Sequence, residues 1–146
     1  MIDSQSRIKK ERGVYNRWLY LILHGVSLLS HDKLKNKDIA VYGLGDLGRR
    51  LVDEMQLEGV APLFIVDRKA DTFFLDVPVL FPGKEMPKAD SIVVTVINEY
   101  EEIKKSMSSL FDGEIVSLEE IVDNLWTKHI DSEVMCGVYT YGCRKI

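Results

Sequence analysis

Asp38-Ile39-Ala40-Val41-Tyr42-Gly43-Leu44-Gly45-Asp46-Leu47-Gly48 opens the segment that decides the fold, and Phe64-Ile65-Val66-Asp67-Arg68 closes it. An apolar run of strand character passes into G-x-G-x-x-G, and a helical stretch follows. A second apolar run then ends in an acid nineteen residues beyond Gly48. Each part has a physical use at a dinucleotide. Gly43 permits a tight turn off the strand, Gly45 lets the backbone approach a pyrophosphate, and Gly48 lets the helix pack close to the strand. The N–H groups at the helix start face the anion, and the helix dipole favours its charge. Asp67 stands where a carboxylate accepts hydrogen bonds from ribose hydroxyls. Arg68 suits a 2′-phosphate, which Asp67 repels. Arg49 and Arg50 offer further neutralisation, although a helix start disfavours cations and a solvated helix face explains them as simply. The plainest alternative for the glycines is a tight turn that binds nothing.

Outward from this unit, periodicity places the other elements. Leu47, Leu51, Val52, Met55 and Leu57 form an apolar stripe at helical spacing over 46–58, and Gly59 suits a C-terminal cap. Strands are expected at 39–42, 62–66, 77–80, 92–96 and 114–117, and helices at 98–110 and from Ser117 to about Trp126. Ser117-Leu118-Glu119-Glu120 has a capping residue and an early acid, close to a capping box. Between Asp67 and Ser91, Pro78, Pro82 and Pro87 punctuate a stretch without helical period, so a loop replaces a full helix there. The alternation predicts an α/β, Rossmann-like, three-layer α/β/α fold over residues 38–128, with a small parallel sheet ordered 3-2-1-4-5. Residues 1–37 form an N-terminal helix and linker, and 129–146 a C-terminal tail. Ligands bind such sheets where the strand order reverses. That point lies between strands one and four, bounded by Gly43–Gly48 and by Thr95, Val96, Ile97 and Asn98. Helix capping accounts equally well for Asn98.

The chain has 146 residues, 46% hydrophobic, with a formal net charge of −4. That is one domain with enough apolar material for a core and no general signature of nucleic-acid binding. Arg7, Lys9, Lys10, Arg12 and Arg17 make the first seventeen residues locally basic, too sparsely for a nucleic-acid arm; a frayed terminus is expected. The apolar run from Trp18 to Leu29 is interrupted by His24, Gly25 and Ser27 and is too short to span a bilayer. No small-residue cleavage site follows it. It predicts a hydrophobic helix over 14–30 that packs on the domain or on a second subunit, then a polar linker over 31–37. Val134 to Tyr141 has the character of an edge strand or a swapped segment.

Other chemistry is sparse. Cys136 and Cys143 match no common zinc or redox spacing and are expected as free thiols. His24, His31 and His129 are scattered, and no metal is expected. Tyr100-Glu101-Glu102-Ile103-Lys104 has the Y-x-x-x-K spacing of short-chain dehydrogenases, in which the lysine lowers the tyrosine pKa. It follows strand four and not strand five, and no serine-bearing strand precedes it, so a half-buried tyrosine on a solvated helix is the better reading.

The runs I-A-V-Y-G-L-G-D-L-G-R-R-L, F-I-V-D-R, D-V-P-V-L, A-D-S-I-V-V-T-V-I and E-I-V-S-L-E-E-I resemble a small Rossmann-like domain of bacterial glycan biosynthesis. That domain opens sugar O- and N-acyltransferases and membrane-linked sugar-nucleotide epimerases and dehydratases. The resemblance covers residues 38–123. It implies NAD or NADP, or a UDP-sugar, at the glycine loop. It sets Gly43, Leu44, Gly45, Asp46, Leu47 and Gly48 at phosphate, Asp67 and Arg68 at ribose or base, and Thr95, Val96 and Ile97 along the crevice. The acyltransferases' hexapeptide repeats and the epimerases' second catalytic domain have no counterpart here. Stand-alone chains with a helix before the sheet resemble proteins of capsule and polysaccharide gene clusters. The expectation is therefore a cytoplasmic nucleotide-binding accessory protein that works through a partner enzyme or as a homodimer. One alternative is a nucleotide-sugar dehydrogenase or epimerase completed across a subunit interface. Another is a sensing or scaffold domain in which Leu44 or Arg49 fills the pocket. The residues do not choose among NAD, NADP, a UDP-sugar and coenzyme A.

Overall fold

The computed structural model describes residues 4–73 and 75–135. In chain order the elements are α1 (Ser4–Leu23), β1 (Ile39–Tyr42), α2 (Asp46–Leu57), β2 (Ile65–Val66), β3 (Val79–Leu80), β4 (Ser91–Val94), α3 (Tyr100–Met107), β5 (Glu114–Ser117) and α4 (Leu118–Met135). The five strands form one parallel sheet in the order β3-β2-β1-β4-β5, the order expected from the sequence. Val41 pairs with Ile65 on one side and Val93 on the other, so β1 and β4 are central. Every residue of these two strands is buried, as a parallel sheet covered on both faces requires.

Alternation along the strands divides the core in two. Ile39, Val41, Ile65, Val93 and Val116 join Leu47, Leu51 and Met55 of α2, Val14, Trp18 and Leu21 of α1, and Ile121, Val122 and Leu125 of α4. Ala40, Tyr42, Val66, Ile92 and Val94 face Ile103 and Met107 of α3, together with Phe64, Met86 and Phe111. The N-terminal helix therefore shares a core with the sheet. Leu34, inside the expected polar linker, is buried in that core.

The ends of the chain differ most from the sequence expectation. The first helix begins ten residues earlier than expected, at Ser4, and stops at Leu23, before Gly25 at φ +73°. Ser27 then caps a separate 3-10 turn, Leu28–Ser30. The basic stretch is helical from Ser4, and α4 supplies partners for Lys10 and Arg17. Lys10 pairs with Glu119 at 3.4 Å and Arg17 with Asp123 at 2.6 Å. Local apolar periodicity carries no trace of such long-range pairs. Glu54 of α2 anchors the same region, accepting from the Trp18 indole at 2.8 Å and the Leu28 N–H at 2.7 Å. Burial also selects among the apolar residues of 14–30: Trp18, Leu21 and Leu28 are buried, while Leu19, Ile22 and Leu23 are exposed.

At the other end α4 continues to Met135, nine residues past its expected stop at Trp126, so Val134 and Met135 are helical and not an edge strand. Cys136, Cys143 and the rest of the expected edge strand lie outside the described residues. The helix at 98–110 is shortened to α3, preceded by a 3-10 turn at Ile97–Glu99. Ala70–Thr72 forms another 3-10 turn in the crossover where no full helix was expected. Among the described residues, no helix is long and apolar enough to cross a membrane.

Candidate functional site

The site is built at the carboxyl ends of β1, β2 and β4. Gly43 leaves β1 at φ +101°, a region that side chains rarely adopt. A Cβ there would stand 2.6 Å from Thr95 Oγ1 and 2.8 Å from Val96 Cγ2. At Gly48 a Cβ would stand 1.9 Å from the Gly43 carbonyl oxygen, so close contact of α2 with the end of β1 demands glycine. Gly45 differs from both. It is exposed, its φ is −75°, and a Cβ would meet nothing within 4 Å. The protein's own packing demands two of the three glycines, while Gly45 is the N-cap of α2 with open space before it.

Asp67 holds the inner part of the loop. One carboxylate oxygen accepts the Leu44 N–H at 2.8 Å, and the other accepts the Lys69 N–H at 2.8 Å. These two bonds orient the carboxylate and leave lone pairs on both oxygens for further donors. Leu44 itself turns inward and is 4% exposed. Arg49 folds back over the turn, with its Nε donating to the Leu44 carbonyl at 3.2 Å. Asp46 is exposed in the first turn of α2, where its charge suits the dipole. Leu47 is buried against the sheet and offers the crevice only backbone.

The β4 side is closed more tightly. The Thr95 hydroxyl donates to the carbonyls of Tyr42, at 2.9 Å, and Gly43, at 3.0 Å. It is buried and ties the ends of β1 and β4 together. Val96 is half-buried and Ile97 is buried in the core. The sequence-predicted residues thus fall into two groups. Gly43 to Gly48, Asp67 and Arg68 gather around the β1–α2 turn. Thr95 to Ile97 form the opposite wall, with their side chains turned into the protein.

Three further contributors, Glu99, Tyr42 and Glu11, were not among the expected site residues. Arg68 reaches from the end of β2 to Glu99 beyond β4, at 3.1 Å. Since β1 lies between those strands, this ion pair spans the switch point. Tyr42 ends β1 on the α3 face, and burial is the main reason its phenol pKa stands above the ordinary 10.0; Asp67 and Glu99 push it further up and Arg68 opposes them. Glu11 of α1 accepts from Asn98 Nδ2 at 3.4 Å, which brings the N-terminal helix to the rim. A small cleft of about 210 Å³ opens there, lined by Lys10, Asn98, Glu99 and Ser117 among others. Strand alternation in residues 39–42 marks Tyr42 as facing away from α2; nothing local marks Glu11.

Tyr100 and Lys104 do not form an acid–base pair. The Tyr100 hydroxyl donates to the Ile115 carbonyl at 3.2 Å, and the Lys104 ammonium lies 5.8 Å from the ring centroid. Two of the three scattered histidines do meet: the His24 and His129 rings are 5.2 Å apart beside Tyr20. Among the described residues, no group of three His, Cys, Asp or Glu side chains is arranged to hold a metal ion.

Comparison of the chain with family models, with curated proteins and with solved structures finds no match.

Proposed function

We propose that the β1–α2 turn binds the phosphate of a nucleotide, with NAD or NADP as the first candidate ligand and a nucleotide-sugar as the second. The observation that carries this reading is Gly45, exposed at the start of α2 with nothing within 4 Å of its missing side chain. A phosphate needs that space and the N–H groups beside it. Asp67 supports the same reading, since its bonds to Leu44 and Lys69 fix a carboxylate at the end of β2 with lone pairs left for ribose hydroxyls. Its charge and the engagement of Arg68 with Glu99 favour a free 2′-hydroxyl over a 2′-phosphate.

Among the described residues, Asp67 is engaged by backbone N–H groups and Glu99 by Arg68, which supports a binding role for the turn. We place the chain as a cytoplasmic accessory or subunit in surface-polysaccharide or sugar-nucleotide biosynthesis, acting with a partner enzyme or as a homodimer. This placement rests on the resemblance of residues 38–123. A second reading, a scaffold that keeps the fold without the ligand, draws on the inward Leu44 and on Arg49 folded over the turn. An enzyme of the dehydrogenase or epimerase type requires an acid–base pair from another subunit.

The test is a thermal-shift panel with NAD(H), NADP(H), UDP-sugars, coenzyme A and S-adenosylmethionine, each at about 1 mM. A ligand with a dissociation constant of about 10 μM adds about 2.7 kcal/mol at that concentration. The proposal expects a shift with one nucleotide that disappears in Gly45→Val, whose own melting temperature matches the parent. No shift with any nucleotide transfers the chain to the scaffold reading. A shift that survives in Gly45→Val places the ligand elsewhere.

A further inference from the structure

Away from the glycine turn, α1 and α2 leave an open groove of about 550 Å³ between them. Helix α1 meets it with a second apolar stripe. Val14, Trp18 and Leu21, spaced by four and three residues, are buried in the core. Tyr15, Leu19 and Ile22 repeat that spacing one residue further on and line the groove. Leu19 and Ile22 are each 53% exposed, and Leu57 of α2, on the other wall, is 88% exposed. Ile8 stands seven residues before Tyr15 and is 52% exposed. Exposed apolar side chains scattered singly are ordinary, whereas a run at four-three spacing has the form of a helix-pairing seam. The inner stripe satisfies the core, and the outer one is matched by a second helix.

A groove between two helices accepts a third helix whose ridge carries aliphatic side chains at that spacing. The outer stripe of α1 is such a ridge, and it lies on the groove's own wall. A second copy of the chain therefore brings a ridge and receives one, which is the condition for an isologous two-fold contact. Charge sets the direction. Arg12 is exposed on the same stripe, three residues before Tyr15. Glu58 of α2 stands at the other end of the groove, accepting from the Ser27 hydroxyl. Arg12 and Val26 are each seven residues from Leu19. If the two helices cross antiparallel at Leu19, Arg12 of one copy comes opposite Val26 of the other, where Ser27 and Glu58 stand. Each copy then sets a cation against the other's carboxylate. Parallel seating opposes Arg12 to Arg12 and Glu58 to Glu58, which like charges disfavour.

We infer that the chain forms a two-fold dimer in which α1 of each copy lies antiparallel in the α1–α2 groove of the other. Leu19 and Ile22 form the centre of the contact, and Arg12 meets Glu58 at both ends. The glycine turn lies elsewhere, so dimerisation and nucleotide binding stand or fall independently.

The test is sedimentation velocity on the full chain in reducing buffer, over about 1–100 μM protein, where mass action shifts a reversible dimer. The parent is expected to pass from monomer to dimer within that range. Leu19→Glu places a carboxylate at the centre of the seam and is expected to stay monomeric, with the parent's melting temperature at the lowest concentration. Arg12→Glu and Glu58→Arg each set like charges opposite one another and are each expected to weaken association at least about tenfold. An equimolar mixture of these two variants restores opposite charges at both ends and is expected to associate as the parent does. A parent that stays monomeric overturns the proposal, as does a dimer that Leu19→Glu leaves intact. A mixture that regains no affinity overturns the antiparallel seating.

Discussion

The two lips of the switch point are made by the same operation, a chain leaving the carboxyl end of a buried central strand, yet they expose opposite chemistry. Beyond β1 the chain turns at Gly43 and enters α2 at once, so the helix's unpaired N–H groups and the bare backbone of Gly45 face outward. Beyond β4 the Thr95 hydroxyl is bonded to two carbonyls of the β1 lip, Ile97 is buried, and a 3-10 turn intervenes before α3. What that lip presents is Glu99, held by Arg68. An anion is suited to the first lip only. The second lip supports the first and places a carboxylate opposite it. Homologous strand ends in one sheet therefore carry different roles, and what separates them is where the backbone donors and the side-chain oxygens are satisfied.

The largest break in this comparison comes from the contact that brings α2 to β1. Gly48→Ala forces a methyl into the Gly43 carbonyl and is expected to cost about 3 kcal/mol, visible as a lower midpoint in urea unfolding. An unchanged midpoint would mean that α2 is free to move away from the strand. Next comes the tie between the lips. Thr95→Val removes the donor shared by the Tyr42 and Gly43 carbonyls and is expected to cost about 1–3 kcal/mol. It should also weaken any nucleotide shift, because the turn loses the bonds that hold it. A loss of stability with full ligand response would make the β4 lip a purely structural support.

Alkaline pH probes the Tyr42 position. Burial raises the pKa of Tyr42 and of Tyr15 above 10.0, so each neutral phenol is favoured in the folded state. Lys33 is raised above 10.5, first by its hydrogen bond to Glu120, and there the charged form is favoured. In each case the folded pKa exceeds the unfolded one. The stabilisation is complete below the unfolded value and is lost as pH rises through the folded value. Stability should be flat toward neutral pH and fall above about pH 10, with Tyr42→Phe moving the midpoint of alkaline unfolding upward. A phenolate absorbance titration in which every tyrosine ionises together near the ordinary value would contradict this. The smallest effect is expected at the ion pair across the crevice. Arg68 is mostly exposed, so Glu99→Gln should change stability by less than about 1 kcal/mol. Its use is in binding: freeing Arg68 should narrow the gap between NAD and NADP in the thermal-shift panel, and an unchanged gap would exclude Arg68 from the ligand.

The β1–α2–β2 unit was legible because local rules and tertiary contacts agree there. Gly48 is required by its contact with the Gly43 carbonyl five residues earlier and Gly43 by its positive φ, both local to the turn, and the apolar runs admit few alternatives to buried parallel strands. The strand order followed from the same alternation. Less was legible where stability comes from distant partners. The helix over Ser4–Gly13 has no apolar stripe of its own and meets α4 through the Lys10–Glu119 pair; α4 in turn runs beyond Trp126 alongside α1. Leu34 looked like linker because its burial depends on a sheet that closes much later in the chain.

For the site, the sequence by itself determined the glycine turn, the acid at the end of β2 and the strand ends that flank them, because each is set by backbone geometry or strand period over short range. Only the tertiary structure decided how those groups are engaged. It turned Asp67 onto the Leu44 N–H, directed the Thr95 hydroxyl inward, joined Arg68 to Glu99 across β1, and left Gly45 as the one glycine of the three with open space before it. Hydrogen-bond partners and empty volume depend on which segments meet in three dimensions, and no spacing along the chain encodes them.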